Sequence, residues 1–467
     1  MTNVPESKLL SGSQQAAGDQ LAHELLETAK LAGPMVLTQL GQIAMMTTDL
    51  ALVGRIGVDA VAAAGLASRV YVVSFAFGAS LLAAIAPLVA QAYGRNNLAL
   101  LRRLLRTGLW TALLLSLPIM AFALRGEQIL VALGQNSNIA RLAQQYLFGV
   151  AWGVPPVLCF EAMRLFMGAV SRPAPVLWIT LGAIPANALM GYFLIYGKMG
   201  LPGLGLFGAG FASTLVNCGM CLAALGFATR GGAFREYRLF ADLWRFDWKL
   251  MWQLIVIGTP ISTAFLIGYS QFSAVALLAG LISTDALAAH QIAVHVANVL
   301  LMISFGISAA STVRVGQAVS RNDGLGIKRA GLAAFLLGAA IAAVLTIGVI
   351  VARFQIAELF LSNASVDPNL TIVLAAKLLL AGAIFFISDA LRCIATGALR
   401  GLKDTLVPLF FATIAYWPIG VLLSYVLGFE MEFGAVGLWF GLSVGTTVYA
   451  VLLSLRFQIL ANRLSHQ

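Results

Sequence analysis

Apolar runs as long as a bilayer is thick recur along this chain, and they constrain its fold more than any other feature. "AGLAAFLLGAAIAAVLTIGVIVA" and "WTALLLSLPIMAFAL" are two of them. About 20 apolar residues cross a bilayer as an α-helix. Backbone groups in lipid must pair within their own segment, so runs like these are helices. The alternating pattern of a membrane barrel is absent. Twelve spans are expected, at 32–54, 62–92, 104–124, 144–168, 174–196, 208–228, 250–280, 288–318, 330–352, 371–399, 406–428 and 434–456. The N-terminal stretch before them is polar and mixed in charge, unlike a secretory signal.

The chain is 60% hydrophobic and only 10% charged, against about 25% charged in soluble domains. Its net charge of +10 could suggest nucleic acid, but the placement of the charges argues for a membrane and no nucleic-acid partner. One set of loops holds Arg95, Arg102, Arg103, Arg106, Arg321, Lys328, Arg329, Arg400 and Lys403, among others. The alternate loops hold only Arg55, Arg125, Arg141, Lys198 and Arg353. The positive-inside rule then places both termini in the cytoplasm. All four cysteines (Cys159, Cys218, Cys221 and Cys393) fall inside apolar spans. The "CGMC" pair has no polar setting and no further ligands nearby, so packing is its expected role.

The chain also repeats itself. "DAVAAAGLA" from Asp59 returns as "DALAAHQIA" from Asp285, displaced by nearly half the chain. At the same displacement Pro34 falls on Pro260, Gly54 on Gly280, and "QAYGRNN" from Gln91 on "QAVSRND" from Gln317. An internal duplication follows. Six spans return a chain to its starting side, so the two halves insert the same way up. Parallel repeats of this kind build secondary transporters, which hold substrate between the halves and alternate access. The expected organisation is a cytoplasmic N-terminal segment (1–31), an N-lobe (32–228), a cytoplasmic linker (229–248) with a membrane-surface character, a C-lobe (249–456) and a cytoplasmic tail (457–467).

"GTP" at Gly258, "DALAAHQIA", "VRVGQAVSRND", "SDALRCIATGALRGLKDT", "TTDLALVGRIG", "AQAYGRNN" and "NALMGYFLIYGKMG" together resemble the multidrug and toxic compound extrusion (MATE) family, NorM branch. The resemblance covers nearly the whole chain. It implies an all-α polytopic membrane protein with twelve transmembrane helices in two parallel six-helix repeats and a V-shaped cavity. It further implies a monomeric antiporter of a bacterial-type inner membrane that exports cationic amphipathic compounds in exchange for H+ or Na+, with no other cofactor.

A charge at the bilayer centre costs ~2.5–3.5 kcal/mol on insertion scales, so each one calls for a reason. Asp49 is the one acid in the first span, with no Lys or Arg within two turns before it. Gln42, Met45, Met46 and Asp49 recur at helical spacing and share a face. A carboxylate beside soft, adaptable methionines suits a pocket for varied cations; Gln42, Met45, Met46 and Tyr269 are expected to line it. The bland alternative is an aspartate merely solvated at the interface. Asp49 also matches the family's first-helix aspartate, which the resemblance ties to cation coupling, and is the one position where Na+ could bind.

Asp389 and Arg392 lie three apart in "DALR", as do Glu161 and Arg164 in "EAMR", so each can pair within its helix. Such pairs are expected to be structural. Asp389 nevertheless matches the family's tenth-helix aspartate, which implies a part in cation coupling. Asn187 matches a fifth-helix asparagine that supports the same function, although Gly191 replaces the second asparagine of that pattern. His290 and His295 lie in the eighth span, where a histidine could relay protons; His290 belongs to the "AHQ" of the resemblance, and packing is the expected role. Two departures count against a C-lobe sodium site: Gly268 stands where the NorM branch has a glutamate, and Arg392 adds a positive charge where a hard cation wants several oxygens. The coupling role shifts toward Asp49. A lone buried carboxylate can trade a proton, which favours H+ and leaves Na+ open.

Catalysis is not expected. The chain has no DxxxD or DDxxD, no GxSxG with a partner and no Walker lysine. A lipid or oligosaccharide flippase of related fold is the nearer alternative. Such cavities need clustered cations, whereas Arg69, Arg164, Arg314, Lys377 and Arg392 are scattered.

Overall fold

Alanine, leucine and isoleucine carry most of the chain into helix, and short polar turns punctuate it. The computed structural model describes residues 6–197, 202–230, 245–361 and 368–466. Most of the expected 229–248 linker lies outside the described residues, as does the loop residue Lys198. Among the described residues there is helix and turn but no strand. The helices are α1 (Glu6–Gly54), α2 (Val58–Leu82), α3 (Ile85–Gly94), α4 (Leu98–Leu124), α5 (Gly126–Ala132), α6 (Ser137–Ala151), α7 (Val154–Ala169), α8 (Ala174–Tyr196) and α9 (Gly205–Arg230). After the linker come α10 (Trp248–Ile282), α11 (Thr284–Ser320), α12 (Gly324–Val351), α13 (Arg353–Leu361), α14 (Pro368–Ala381), α15 (Ala383–Gly401), α16 (Leu406–Glu430) and α17 (Gly434–Ser465).

Among the described residues, ten helices are long and apolar enough to cross a membrane, and the number reaches 12 if each of two bent pairs is one span. The bent pairs are Ser137–Ala151 with Val154–Ala169, at 51°, and Leu370–Ala381 with Ala383–Gly401, at 46°. The first break has a local cause: Pro155 and Pro156 open α7, where missing donors are tolerated only in a first turn. Within α16 the ladder loosens to π-helix over Ala415–Val421, around Pro418, and again over Val426–Glu430. Proline removes a donor and pushes back the preceding turn, which such a widened turn absorbs.

The duplication is written into the turns. Asn97 caps α4 by accepting from Leu100 N at 3.0 Å. Its counterpart in the second copy, Asp323, caps α12 by accepting from Gly326 N at 2.7 Å. The residues before these caps, Asn96 and Asn322, both have φ of 54°. Asparagine tolerates that left-handed conformation better than most residues.

α1 begins well before the expected span. Residues 19–30, "DQLAHELLETAK", are rich in strong helix formers, and the helix runs on as one piece from Glu6. Its candidate span of 37 residues would measure about 55 Å at 1.5 Å per residue. That exceeds a ~30 Å hydrocarbon core, so much of 1–31 is helix and not an irregular segment.

The chain forms two compact units that do not follow its linear halves. One unit comprises Met1–Val36, Gln271–Asp404 and Ile414–Gln467; the other comprises Leu37–Ser270 and Thr405–Thr413. In the first unit, the start of α1 packs on α11. Arg314 donates from Nε and Nη2 to the Glu24 carboxylate at 2.8 and 2.6 Å. A Cβ at Gly306 would run into the Val36 backbone, so only glycine permits this approach. In the second unit, the start of α10 packs in the corresponding way. Arg103 donates to Asp247 at 2.9 and 2.6 Å, and Ser262 Oγ donates to the Phe77 carbonyl at 2.9 Å. The core of the first unit gathers Trp439, Phe385 and Phe386 around small residues of α11. The core of the second packs Ala60, Ala63, Ala64 and Ala67 of α2 against Leu147 and Ala143 of α6. Small residues of this kind let helices approach closely in lipid.

Candidate functional site

Asp49 lies near the end of α1, with its side chain half-buried. Two helices far along the chain reach it. Asn187, on α8, donates from Nδ2 to Asp49 Oδ1 at 2.6 Å. Ser213, on α9, donates from Oγ to Asp49 Oδ2 at 3.2 Å. Tyr146, on α6, lies close enough to interact with the Asp49 charge and is hydrogen-bonded to Ser68. No Lys or Arg salt-bridges Asp49 among the described residues. Among the described residues the carboxylate accepts hydrogen bonds from the neutral groups Asn187 and Ser213.

Asn187 is 0% exposed, and its Oδ1 has no hydrogen-bond partner. An orphaned buried acceptor costs roughly 1–3 kcal/mol, and this one lies on the residue that holds the Asp49 carboxylate. The local fold explains how Asn187 comes so close. One turn further along α8 stands Gly191, where a Cβ would require the end of the Leu52 side chain on α1 to shift. The glycine that departs from the family pattern thus lets α8 lie against α1. Tyr196, further along the same helix, donates from its hydroxyl to the Leu52 carbonyl at 2.7 Å.

Gln42, Met45 and Met46 lie one to two turns before Asp49 on the same helix. Gln42 and Met45 are half-buried, Met46 is 61% exposed, and Tyr269 on α10 is 36% exposed. All four belong to the same compact unit as Asp49. Asp389 belongs to the other unit. Arg392 donates from Nε to Asp389 Oδ1 at 2.7 Å, and its Nη2 lies 2.6 Å from the same oxygen. Arg164 holds Glu161 in the same i, i+3 geometry, with both carboxylate oxygens engaged. These two acids sit in corresponding bent spans and are both neutralised. His290 is buried against the Trp439 ring at 5.9 Å, and His295 meets Phe360 at 5.3 Å. The cysteines are free thiols. Among the described residues, no three His, Cys, Asp or Glu side chains gather as a metal site would require.

Ser213 and Tyr146 are the members that sequence reasoning did not find. Ser213 stands in "GAGFASTLVN", where a serine between small residues reads as helix packing. Tyr146 follows Arg141 and the Gln144–Gln145 pair at the start of a span, where a tyrosine reads as an interfacial residue.

The sequence profile of the MatE family matches residues 34–193 and 260–426, one stretch in each half. The chain is 56% identical over 446 residues to the probable multidrug resistance protein NorM of Bradyrhizobium diazoefficiens, covering 96% of each. It is 49% identical over 455 residues to the protein of that name from Rhodopseudomonas palustris, covering 97% of this chain and 96% of that one. In structure it is similar to the eukaryotic MATE transporter AtDTX14, with a TM-score of 0.84 at 19% identity over 96% of this chain and 99% of that one. Two matched stretches that bracket both Asp49 and Asp389, together with near full-length identity to NorM proteins, establish that this chain belongs to the MatE family and is a NorM-like member of it.

Proposed function

We propose that this chain is a secondary multidrug exporter that moves cationic amphipathic small molecules out of the cell in exchange for an inward proton, or a sodium ion, taken up at Asp49. The observation that carries the reading is the Asp49 cluster: a membrane carboxylate contacted by Asn187 and Ser213 and by no countercharge among the described residues. Keeping a charge in a membrane helix is costly, and two neutral hydrogen bonds do not cancel it.

The chemistry of exchange follows from that. An ionised Asp49 attracts a cationic substrate. A proton on one carboxylate oxygen removes the charge and with it the attraction. Asn187 can serve both states, since its Nδ2 donates to the carboxylate while its Oδ1 remains an open acceptor. A sodium ion would draw on Asp49, the Asn187 Oδ1 and the Ser213 Oγ, a sparse set for a hard cation. The proton needs only the carboxylate, and we take it as the coupling ion. Asp389, neutralised by Arg392, serves in this scheme as a structural group. The drug-resistance names of the relatives and the lone carboxylate both support a cationic cargo. The loop bias in Arg and Lys supports an inner membrane with both termini cytoplasmic, and the transporter is read as a monomer.

Reconstituted vesicles test the coupling. An outward gradient of ethidium-like dye should be built under an imposed proton gradient and not under a sodium gradient. Export driven by sodium alone would overturn the proton assignment. Export unaffected by either gradient would overturn antiport.

A further inference from the structure

Aromatic and basic side chains crowd together where α10 begins. Residues 245–252 read "RFDWKLMW". Trp248 and Trp252 are one turn apart and share a face. They are 63% and 58% exposed, and with Lys249 they line an open depression of 610 Å³. Phe246 lies against Trp248 with ring centroids 5.8 Å apart, and Trp110 of α4 meets Phe246 edge-on at 6.1 Å.

The charge of this corner is positive. Its acid among the described residues, Asp247, is already engaged: it accepts from Arg103 and also caps α10 by accepting from Leu250 N at 3.2 Å. Arg245 and Lys249 are exposed, and neither has an ion-pair partner among the described residues. The duplication offers an internal control. The corresponding stretch of the first copy, 19–26, reads "DQLAHELL". It has no aromatic residue, and it carries Asp19 and Glu24 where the later copy has Arg245 and Leu250. The shared fold therefore does not require this cluster.

We propose that the depression is a binding site for the headgroup of an anionic phospholipid, with the phosphate between Arg245 and Lys249 and the upper part of the lipid against Trp248 and Trp252. Tryptophan favours the headgroup level, where its ring is apolar and its N–H wet. A basic residue near an anionic membrane surface contributes about 1 kcal/mol, or roughly fivefold in local enrichment per cation. An Arg and a Lys with no ion-pair partner among the described residues, beside an aromatic floor, select an anionic headgroup over a zwitterionic one. The proposal is independent of which ion Asp49 exchanges.

The test uses the full-length chain in phosphatidylcholine vesicles containing either brominated phosphatidylglycerol or an equal fraction of brominated phosphatidylcholine. Bromine quenches the tryptophans it touches. Brominated phosphatidylglycerol should quench more, and the excess should vanish in Trp248→Phe/Trp252→Phe. In Arg245→Gln/Lys249→Gln the apparent enrichment should fall about fivefold per cation removed, with thermal unfolding in pure phosphatidylcholine unchanged. Equal quenching by both lipids in the unaltered protein would overturn the proposal. So would an excess that survives the double glutamine variant, or a failure of either lipid to quench Trp248 and Trp252, which would mean that protein covers the face.

Discussion

Asn187 reaches Asp49 across 138 residues of sequence and donates to it at 2.6 Å with one half of its amide, while the other half, fully buried, has no hydrogen-bond partner among the described residues. Most buried polar groups in folded proteins are satisfied. One that is left open, beside a membrane carboxylate with no salt-bridge partner among the described residues, is the feature on which the proposed exchange at Asp49 rests.

Replacing Asp49 by Asn should abolish dye export under any imposed gradient while leaving the protein folded and inserted. The variant resembles the protonated state, and removing a costly membrane charge does not destabilise the fold. Vesicle export assays beside a thermal unfolding curve check this. Export at the unaltered rate would sink the mechanism.

Ser213 contributes a single 3.2 Å hydrogen bond to the same carboxylate. Ser213→Ala should cost about 0.5–1.5 kcal/mol of ionised-state stabilisation, a change of roughly two- to tenfold in export rate. Loss of all export from Ser213→Ala would place the serine at the centre of the site instead of its edge.

Asp389→Asn should leave Arg392 charged, only partly exposed and without its carboxylate, costing up to about 3–5 kcal/mol. The double variant Asp389→Asn/Arg392→Gln should recover most of that loss. Calorimetry of the two variants decides. If Asp389→Asn kills transport in a protein of unchanged stability, Asp389 acts on the ion directly.

At the membrane edge, burial works to raise the Asp247 carboxyl, but the hydrogen bonds from Arg103 and Leu250 N–H outweigh it and hold the group below its ordinary value. A depressed folded-state value means that ionised Asp247 stabilises the fold above the unfolded-state value of about 3.9, and that the contribution is lost as pH falls through the folded value. Asp247→Asn should therefore lower stability at neutral pH and leave a flatter acid limb below about pH 4. Unfolding curves over pH 3 to 7, for this variant and the unaltered chain, give the comparison. Parallel acid limbs would show that the Arg103 contact contributes nothing.

Single cysteines at Arg321 and Gln135, in a chain freed of its native thiols, should report opposite sides of the membrane. An impermeant thiol reagent applied to intact cells should label position 135 and spare 321. Equal labelling would reverse the sidedness drawn from the basic loops.

Much of this architecture could be read in the residues because the chain states it twice. α4 and α12 start at equivalent places in the two copies, and their caps Asn97 and Asp323 fall on one another. The ion pairs of "EAMR" and "DALR" are local, so i, i+3 spacing suffices to foresee them. The bend at Gly382 carries no proline to announce it and depends on packing from distant helices. The early start of α1 lies in polar residues that a search for apolar runs passes over, and its anchor, Arg314, is 290 residues from Glu24. Ser213 was invisible for a similar reason: its meaning lies in Asp49, 164 residues away, and a serine among alanines and glycines has no pattern of its own.

The exchange of helix starts between the two compact units has a consequence for synthesis. Val36 packs against Gly306, which the ribosome adds only after more than half of the chain has followed Val36. Phe77 waits 185 residues for Ser262. Neither unit can close from the first half of the chain alone, so the first six spans must remain in the bilayer as an unfinished assembly until α10 and α11 arrive. Cutting the chain at the linker would separate each unit from a piece of itself, and the two fragments would recover the fold only by finding one another in the membrane.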